Sequence, residues 1–310
     1  MNICSWMRDE QSGLRVTTLE IAKYTERAGH SIVIKQPTDG MPIYGNGSLK
    51  PDLHTVHSQI SPSTYFDNKP KILWCHGEPL SSVANGISMR AFLDLAQLCD
   101  ACICMRKEEW PIWNTIKRTH LVQKGIDLER YYPIKQNVPE KLSGSPAVLY
   151  YENWRGIRNP LYPLMAMAQV WSKLPNARLH LYNVTDKKML DTFKMMIQQC
   201  HLTTYVRTLQ GPVDDVNTLL NRADIVVSGL FPLYARGIEA FGAGKAFIAP
   251  GYREDGYPWT CELDVDSIAA AILRCWENYD TIDYRQWAHD RHNVQITVNQ
   301  ALRVYERYLN

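Results

Sequence analysis

The sequence predicts a two-domain α/β protein in which each domain is an open parallel sheet wrapped by helices. Three observations carry that prediction. Short apolar runs alternate with amphipathic stretches of helical period along the first half of the chain. A polar stretch at 135–146 interrupts this pattern, and the alternation then restarts. The 310 residues are enough for about two ordinary domains with their own cores.

The first strand is expected over 2–6. From Leu14 the apolar or small positions fall at Thr18, Ile21, Ala22, Thr25 and Ala28, a three-and-four spacing that makes one helical face. Gly29 stops that helix, because a glycine just past the last periodic residue adopts the left-handed cap conformation at little cost. A strand follows at 30–35, and others are expected at 53–57, 71–75, 100–105 and 120–123. Helices fill 87–98 and 107–117. Asn137, Pro139, Ser143, Gly144, Ser145 and Pro146 give 135–146 the composition of a linker, which places the domain boundary at 140/141. Beyond it strands are expected at 147–151, 177–182, 205–210, 224–228 and 246–249. Helices at 161–173, 187–200, 216–222, 236–243 and 266–278 alternate with them. Parallel sheets of this kind bind ligands at the carboxyl ends of their strands, so two facing sheets put the site in the cleft between them.

Composition narrows the partners. Hydrophobic residues make up 45% and charged residues 21%, near the globular average, which excludes wholesale disorder and collagen-like structure. Thirty-four basic against thirty-two acidic residues leave a net charge of +2, too balanced for nucleic acid or an anionic membrane as the default partner. No window reaches the roughly 18 to 20 apolar residues of a membrane-spanning helix. The apolar start, 1–7, is too short for a secretory signal and runs into Arg8, Asp9 and Glu10, so a cytoplasmic location is expected. Eight cysteines include Cys99, Cys102 and Cys104, a spacing that invites a metal. A structural zinc site brings a second pair of ligands and none follows, so buried reduced thiols are expected and no metal. The loop after Trp6 offers only Gly13 where a dinucleotide-binding loop needs three glycines, and no phosphate-cradling G-x-x-x-x-G-K-[ST] loop occurs.

Four segments resemble the retaining glycosyltransferases of family four, in the glycogen-synthase-like superfamily. The first runs from Gly13 to Lys23 and ends in Arg27-Ala28-Gly29-His30-Ser31-Ile32-Val33, similar to the family's opening loop, helix and second strand. The second, Trp74-Cys75-His76-Gly77-Glu78-Pro79, resembles its histidine-glycine turn. Val122 to Pro133, with Gly125-Ile126-Asp127 inside, is similar to the segment closing the first domain. The fourth is Ala223-Asp224-Ile225-Val226-Val227-Ser228 followed by Gly237-Ile238-Glu239-Ala240-Phe241-Gly242-Ala243-Gly244-Lys245. Their order covers most of the chain. The resemblance implies the GT-B architecture, two Rossmann-like parallel-sheet domains facing a cleft. An acceptor-side domain would occupy 1–140, a nucleotide-sugar-binding domain 141–285, and 286–310 would be a terminal helix packing back towards the first domain.

Such an enzyme must stabilise charge developing on a diphosphate leaving group, and without a metal the donors are protein groups. Helix N-termini offer backbone N–H groups, and arginines offer bidentate contacts. By the resemblance the diphosphate sits on the helix start Tyr234-Ala235-Arg236-Gly237, with Gly13 letting the first loop approach it or the acceptor. Arg155 and Arg158 would be the basic pair after the domain's first strand, the usual first position being held by Glu152 or displaced; two solvated loop arginines are the alternative. Glu239 would bind the donor ribose, in a setting too apolar for an ordinary solvated face. Phe231 stands where the family's pattern has its first glutamate, eight positions before Glu239, which implies an altered sugar pocket, a contact borrowed from elsewhere or lost activity. His76 would touch the donor sugar near the reacting centre, against the alternative of a structural hydrogen-bonder, and Glu78 would face the acceptor.

These features imply a metal-independent retaining transferase with no cofactor, taking a nucleoside-diphosphate sugar, UDP-linked in the commonest usage of the group, and a hydroxyl acceptor. Two other readings stand beside it. One is a GT-B-like nucleotide-binding protein without transfer. The other is a glycosyltransferase acting on modified bases of viral DNA, for which Arg106, Lys107, Lys117, Arg118 and Lys124 are the basic residues to weigh.

Overall fold

The computed structural model describes residues 1–7, 13–57, 64, 67–76, 89–107, 109–137, 139–152, 160–184, 187–210, 215–228, 234–251 and 254–309. Contacts divide the chain into two compact units, Met1–Asp127 with His292–Asn310, and Leu128–Arg291.

The first unit holds a seven-stranded sheet. Its strands are β1 (Asn2–Trp6), β2 (Ser31–Lys35), β3 (Pro42–Tyr44), β4 (Leu53–Val56), β5 (Lys71–Cys75), β6 (Ala101–Cys104) and β7 (Thr119–Leu121), in the order β3-β2-β1-β4-β5-β6-β7. All pairings are parallel except β2 with β3. That edge strand escapes the sequence reading because it is three residues long and begins with a proline, which an edge tolerates and an interior strand does not. Strands buried on both faces send alternate side chains to two cores. On one face Ile3, Met7, Ile32, Ile34, Ile72 and Trp74 pack with Ile21 and Ala22 of α1 (Gly13–Arg27). Val294, Val298, Ala301 and Tyr305 of the terminal helix complete that core. On the other face Cys4, Trp6, Val33, Leu73, Cys75, Cys102 and Cys104 pack with Ala96 of α2 (Met89–Leu98) and Trp113 of α3 (Trp110–Ile116). The predicted face of α1 is buried at Thr18, Ile21, Ala22 and Thr25, whereas Ala28 lies just past the end of the helix and is exposed.

The terminal segment corrects one expectation. Instead of one helix over 286–310, the chain forms two, Tyr284–His292 and Val294–Leu309. The break is tertiary in origin. Asn293 forms a parallel bridge with Ile126, whose N–H donates to the His292 carbonyl at 2.8 Å while its own carbonyl accepts from Val294 at 3.0 Å. Gly125 makes the approach possible, since a Cβ there would lie 2.7 Å from the Asn293 backbone.

The second unit holds a five-stranded, all-parallel sheet of β8 (Ala147–Tyr151), β9 (Arg178–Val184), β10 (Val206–Gln210), β11 (Ile225–Val227) and β12 (Ala246–Ile248), in the order β10-β9-β8-β11-β12. Its helices are α4 (Leu161–Lys173), α5 (Lys187–Gln199), α6 (Val216–Arg222), α7 (Tyr234–Gly242), α8 (Val265–Glu277) and α9 (Tyr284–His292), of which α4 packs on α8. The polar stretch after Pro133 is fastened to this unit. Asn221 of α6 accepts from the Ile134 N–H at 2.9 Å, and the Leu142 N–H donates to the Arg222 carbonyl at 2.9 Å. An irregular segment packed on a core must satisfy its backbone groups, and asparagine amides do this for both donor and acceptor.

Candidate functional site

Each sheet has one point where the strand order reverses, and open sheets of this kind bind ligands beside the carboxyl ends of the strands at that point. In the first unit it lies between β1 and β4. His57 follows β4 directly, its N–H donating to the Trp6 carbonyl at 2.9 Å, and His76 follows β5. Nδ1 of His57 lies 2.9 Å from Nε2 of His76 and 3.3 Å from the Thr18 hydroxyl of α1. On its other side, Nε2 of His57 is a long 3.5 Å from the Thr55 hydroxyl, which is 2.5 Å from that of Ser5. Trp74 stacks on His57 with centroids 5.5 Å apart and donates its indole N–H to Tyr305 at 2.9 Å. Burial holds the His57 imidazole down to about 3. His76 is also held well below the ordinary range, by burial first and then by His57 and Lys124. Both rings are therefore neutral at physiological pH.

A third histidine ties β4 to the end of β1. His54 of β4 has one tautomer available, because Nδ1 accepts the Trp6 indole N–H at 3.0 Å and Nε2 must then carry the proton it shares with Asp67 at 2.7 Å. Asp67 also receives Lys71 Nζ at 2.8 Å. Burial opposes ionisation of Asp67, yet Lys71 and His54 together outweigh it and hold the carboxyl below its usual value.

In the second unit the reversal lies between β8 and β11. Glu152, just past β8, is 1% exposed; its carboxylate accepts the Ser228 hydroxyl from the end of β11 and the Tyr150 hydroxyl at 3.3 Å. Glu239 of α7 is buried and accepts the Tyr131 hydroxyl at 3.1 Å. Tyr131 is itself held in place. Arg285 donates to the carbonyl of Tyr131, to that of Leu128 at 2.8 Å and to that of Gly242 at 2.8 Å, so one guanidinium ties the 128–131 segment to the carboxyl end of α7. Gly237 lies where α7 crosses β12, and a Cβ there would be 2.4 Å from the Phe247 ring.

Of the residues marked in the sequence, His76 directly follows the end of β5, whereas Gly237 and Glu239 lie within the middle turns of α7. Gly13 is the first residue of α1, and Tyr234, Ala235 and Arg236 form the first turn of α7, their side chains lying outside the described residues. Glu78, Arg155, Arg158 and Phe231 lie outside the described residues altogether. Cys99, Cys102 and Cys104 are buried free thiols on and beside β6. Burial pushes Cys99 up to about 12 and Cys104 up to about 11, whereas a hydrogen bond from Cys75 lowers Cys102. No three His, Cys, Asp or Glu gather in a metal-binding arrangement among the described residues. No described helix is long and apolar enough to cross a membrane. His57, Tyr131 and Arg285 were not marked. A histidine ending the strand expected at 53–57 was a usable signal, but only knowledge of which strands are neighbours gives it weight.

No protein-family model matches the chain, and no curated protein does. Solved structures do. A glycosyltransferase from Rickettsia africae ESF-5 is 14% identical over 100% of this chain and 98% of its own, with a TM-score of 0.72. Sucrose-phosphate synthase from Thermosynechococcus elongatus is 14% identical over 99% of this chain and 98% of its own, also at 0.72. Anabaena HepE in complex with UDP-glucose is 14% identical over 99% and 100%, at 0.71. The chain thus has the α/β fold of the GT-B glycosyltransferases, with two parallel sheets.

Proposed function

We propose that the protein is a glycosyltransferase that takes a UDP-linked sugar and passes it to a hydroxyl acceptor with retention and without a metal. The observation that carries this reading is Glu239, a buried carboxylate on the helix after β11, oriented by Tyr131 within a nucleotide-type sheet. A carboxylate so placed suits the paired hydroxyls of a ribose, and HepE, similar over nearly the whole chain, is described with UDP-glucose.

In this reading the diphosphate lies on the backbone N–H groups opening α7, where the helix dipole favours negative charge, and Arg155 and Arg158 add charge-assisted contacts. His76 hydrogen-bonds the sugar, Gly13 gives the backbone room near the diphosphate, and Glu78 meets the acceptor. The bond from the anomeric carbon to the leaving phosphate oxygen breaks while the acceptor oxygen bonds to the same face. The acceptor proton passes to that phosphate oxygen, so no separate base is required.

Calorimetry with UDP tests the nucleotide site. Loss of charge-assisted hydrogen bonds worth roughly 1.5–3 kcal/mol predicts that Glu239→Ala weakens UDP about 10- to 100-fold. Equal affinity in wild type and variant would remove Glu239 from the site. EDTA should leave turnover unchanged, and a loss restored by a divalent cation would overturn metal independence.

A further inference from the structure

We propose that His57 is a positioning residue that fixes His76 in the tautomer bearing its proton on Nδ1, so that His76 meets the donor sugar as a hydrogen-bond donor and not as a base. This rests on the glycosyltransferase reading for the identity of the ligand; the relation between the two rings rests on geometry alone.

Nδ1 of His57 has two polar neighbours, Nε2 of His76 at 2.9 Å and the Thr18 hydroxyl at 3.3 Å. An unprotonated ring nitrogen has a single in-plane lone pair and takes one good donor. A ring N–H, by contrast, can be shared between two acceptors as a three-centre bond. Protonation of His57 at Nδ1 therefore satisfies both neighbours, while the opposite choice leaves the Thr18 oxygen facing a lone pair or its hydroxyl competing with His76 for it. The far side of the ring agrees. With Nδ1 protonated, Nε2 of His57 accepts, and the Thr55 hydroxyl faces it. The Thr55 oxygen then accepts from Ser5, its partner in the β1–β4 register, at 2.5 Å. One direction of donation runs through the whole chain, from Ser5 to Thr55 to His57 to His76.

The consequence falls on His76. Its Nε2 accepts from His57, so a neutral ring must hold its proton on Nδ1. Positive charge on the pair is disfavoured because the rings sit 5.1 Å apart between centroids, His57 is buried and Lys124 adds like charge beside His76. Trp74 stacks on both rings, at 5.5 Å and 6.2 Å, and restrains their rotation. Burying four polar side chains to orient one half-buried imidazole is costly unless the orientation matters.

The test is nitrogen NMR of the whole chain with labelled histidines at neutral pH, the two rings assigned by loss of their signals in His57→Asn and His76→Asn. The proposal expects pyrrole-type nitrogen at Nδ1 and pyridine-type at Nε2 in both His57 and His76. Pyrrole-type Nε2 in His76, or an imidazolium, overturns it. His57→Asn keeps an amide N–H near the Nδ1 position and should preserve the His76 tautomer. His57→Leu removes the donor and should let Nε2 of His76 take the proton; an unchanged His76 spectrum in folded His57→Leu also overturns the proposal. Sugar release from UDP-sugars supplies the functional arm. His57→Leu should lower kcat at least tenfold with KM within about threefold, and His57→Asn should restore most of it. Rates of His57→Leu equal to wild type would deny the positioning role. Release of no sugar by wild type, with the expected tautomers in place, would instead sink the transferase reading.

Discussion

Gly237→Ala should destabilise the second unit by about 3 kcal/mol, the upper part of the range for overpacking a well-filled core. The added Cβ would stand 2.4 Å and 2.5 Å from two carbons of the Phe247 ring. That ring has nowhere to go. It is fully buried and packs edge-on to Phe241 at 6.3 Å, while the hydroxyl of Tyr257 donates to the Phe247 carbonyl at 2.6 Å and accepts its N–H at 3.1 Å. Relief requires α7 to move off β12, and α7 carries Glu239. Thermal unfolding of the second unit should therefore fall by roughly 6–12 °C, at about 2–4 °C per kcal/mol for a unit of this size. UDP affinity should fall with it. An unchanged melting temperature would show that the helix and strand are less tightly apposed than described. Alanine ordinarily gains over glycine in a helix by about 1 kcal/mol, so the expected loss is against the local preference.

Acid should unfold the first unit early. His57 is held down to about 3 in the folded state, against an ordinary value of 6.5, and His54 and His76 are shifted in the same direction, each chiefly by burial. For a group whose folded value is depressed, the unfolded chain binds the proton first as pH falls. Stability is complete above pH 6.5 and is lost progressively towards pH 3. At about 1.4 kcal/mol per pH unit for each histidine, His57 alone costs on the order of 2 kcal/mol by pH 5. Denaturant midpoints measured from pH 8 to pH 4.5 should stay level above pH 6.5 and decline below it, and His57→Asn should reduce the slope. A flat profile to pH 4.5 would mean that the imidazoles protonate in place.

What the sequence made legible was whatever depends on period. Burial on both faces of parallel strands leaves continuous apolar runs, and the covering helices show three-and-four spacing, so nearly every strand and helix was readable with shifts of a residue or two. The exceptions are contacts. β3 is held by pairing with β2 rather than by its own pattern, and the helix break at Asn293 comes from Ile126, far away in the chain. The site divides the same way. His76 is visible because it ends an apolar strand, and Glu239 because a charge stands among apolar residues. His57 gains meaning only once β1 and β4 are known to be neighbours. Tyr131 meets Glu239 across 108 positions, and Arg285 acts on backbone carbonyls, which leave no mark in a sequence.

Sugar transfer from a nucleotide donor is tested most directly by proton NMR of a panel of UDP-sugars incubated with the full chain. The expected result is slow appearance of free sugar from one donor, its anomeric configuration first matching that of the donor, with the signal abolished in folded His76→Ala. Binding of UDP without release of sugar from any donor, or release that persists undiminished in His76→Ala, would contradict a transferase that acts through His76.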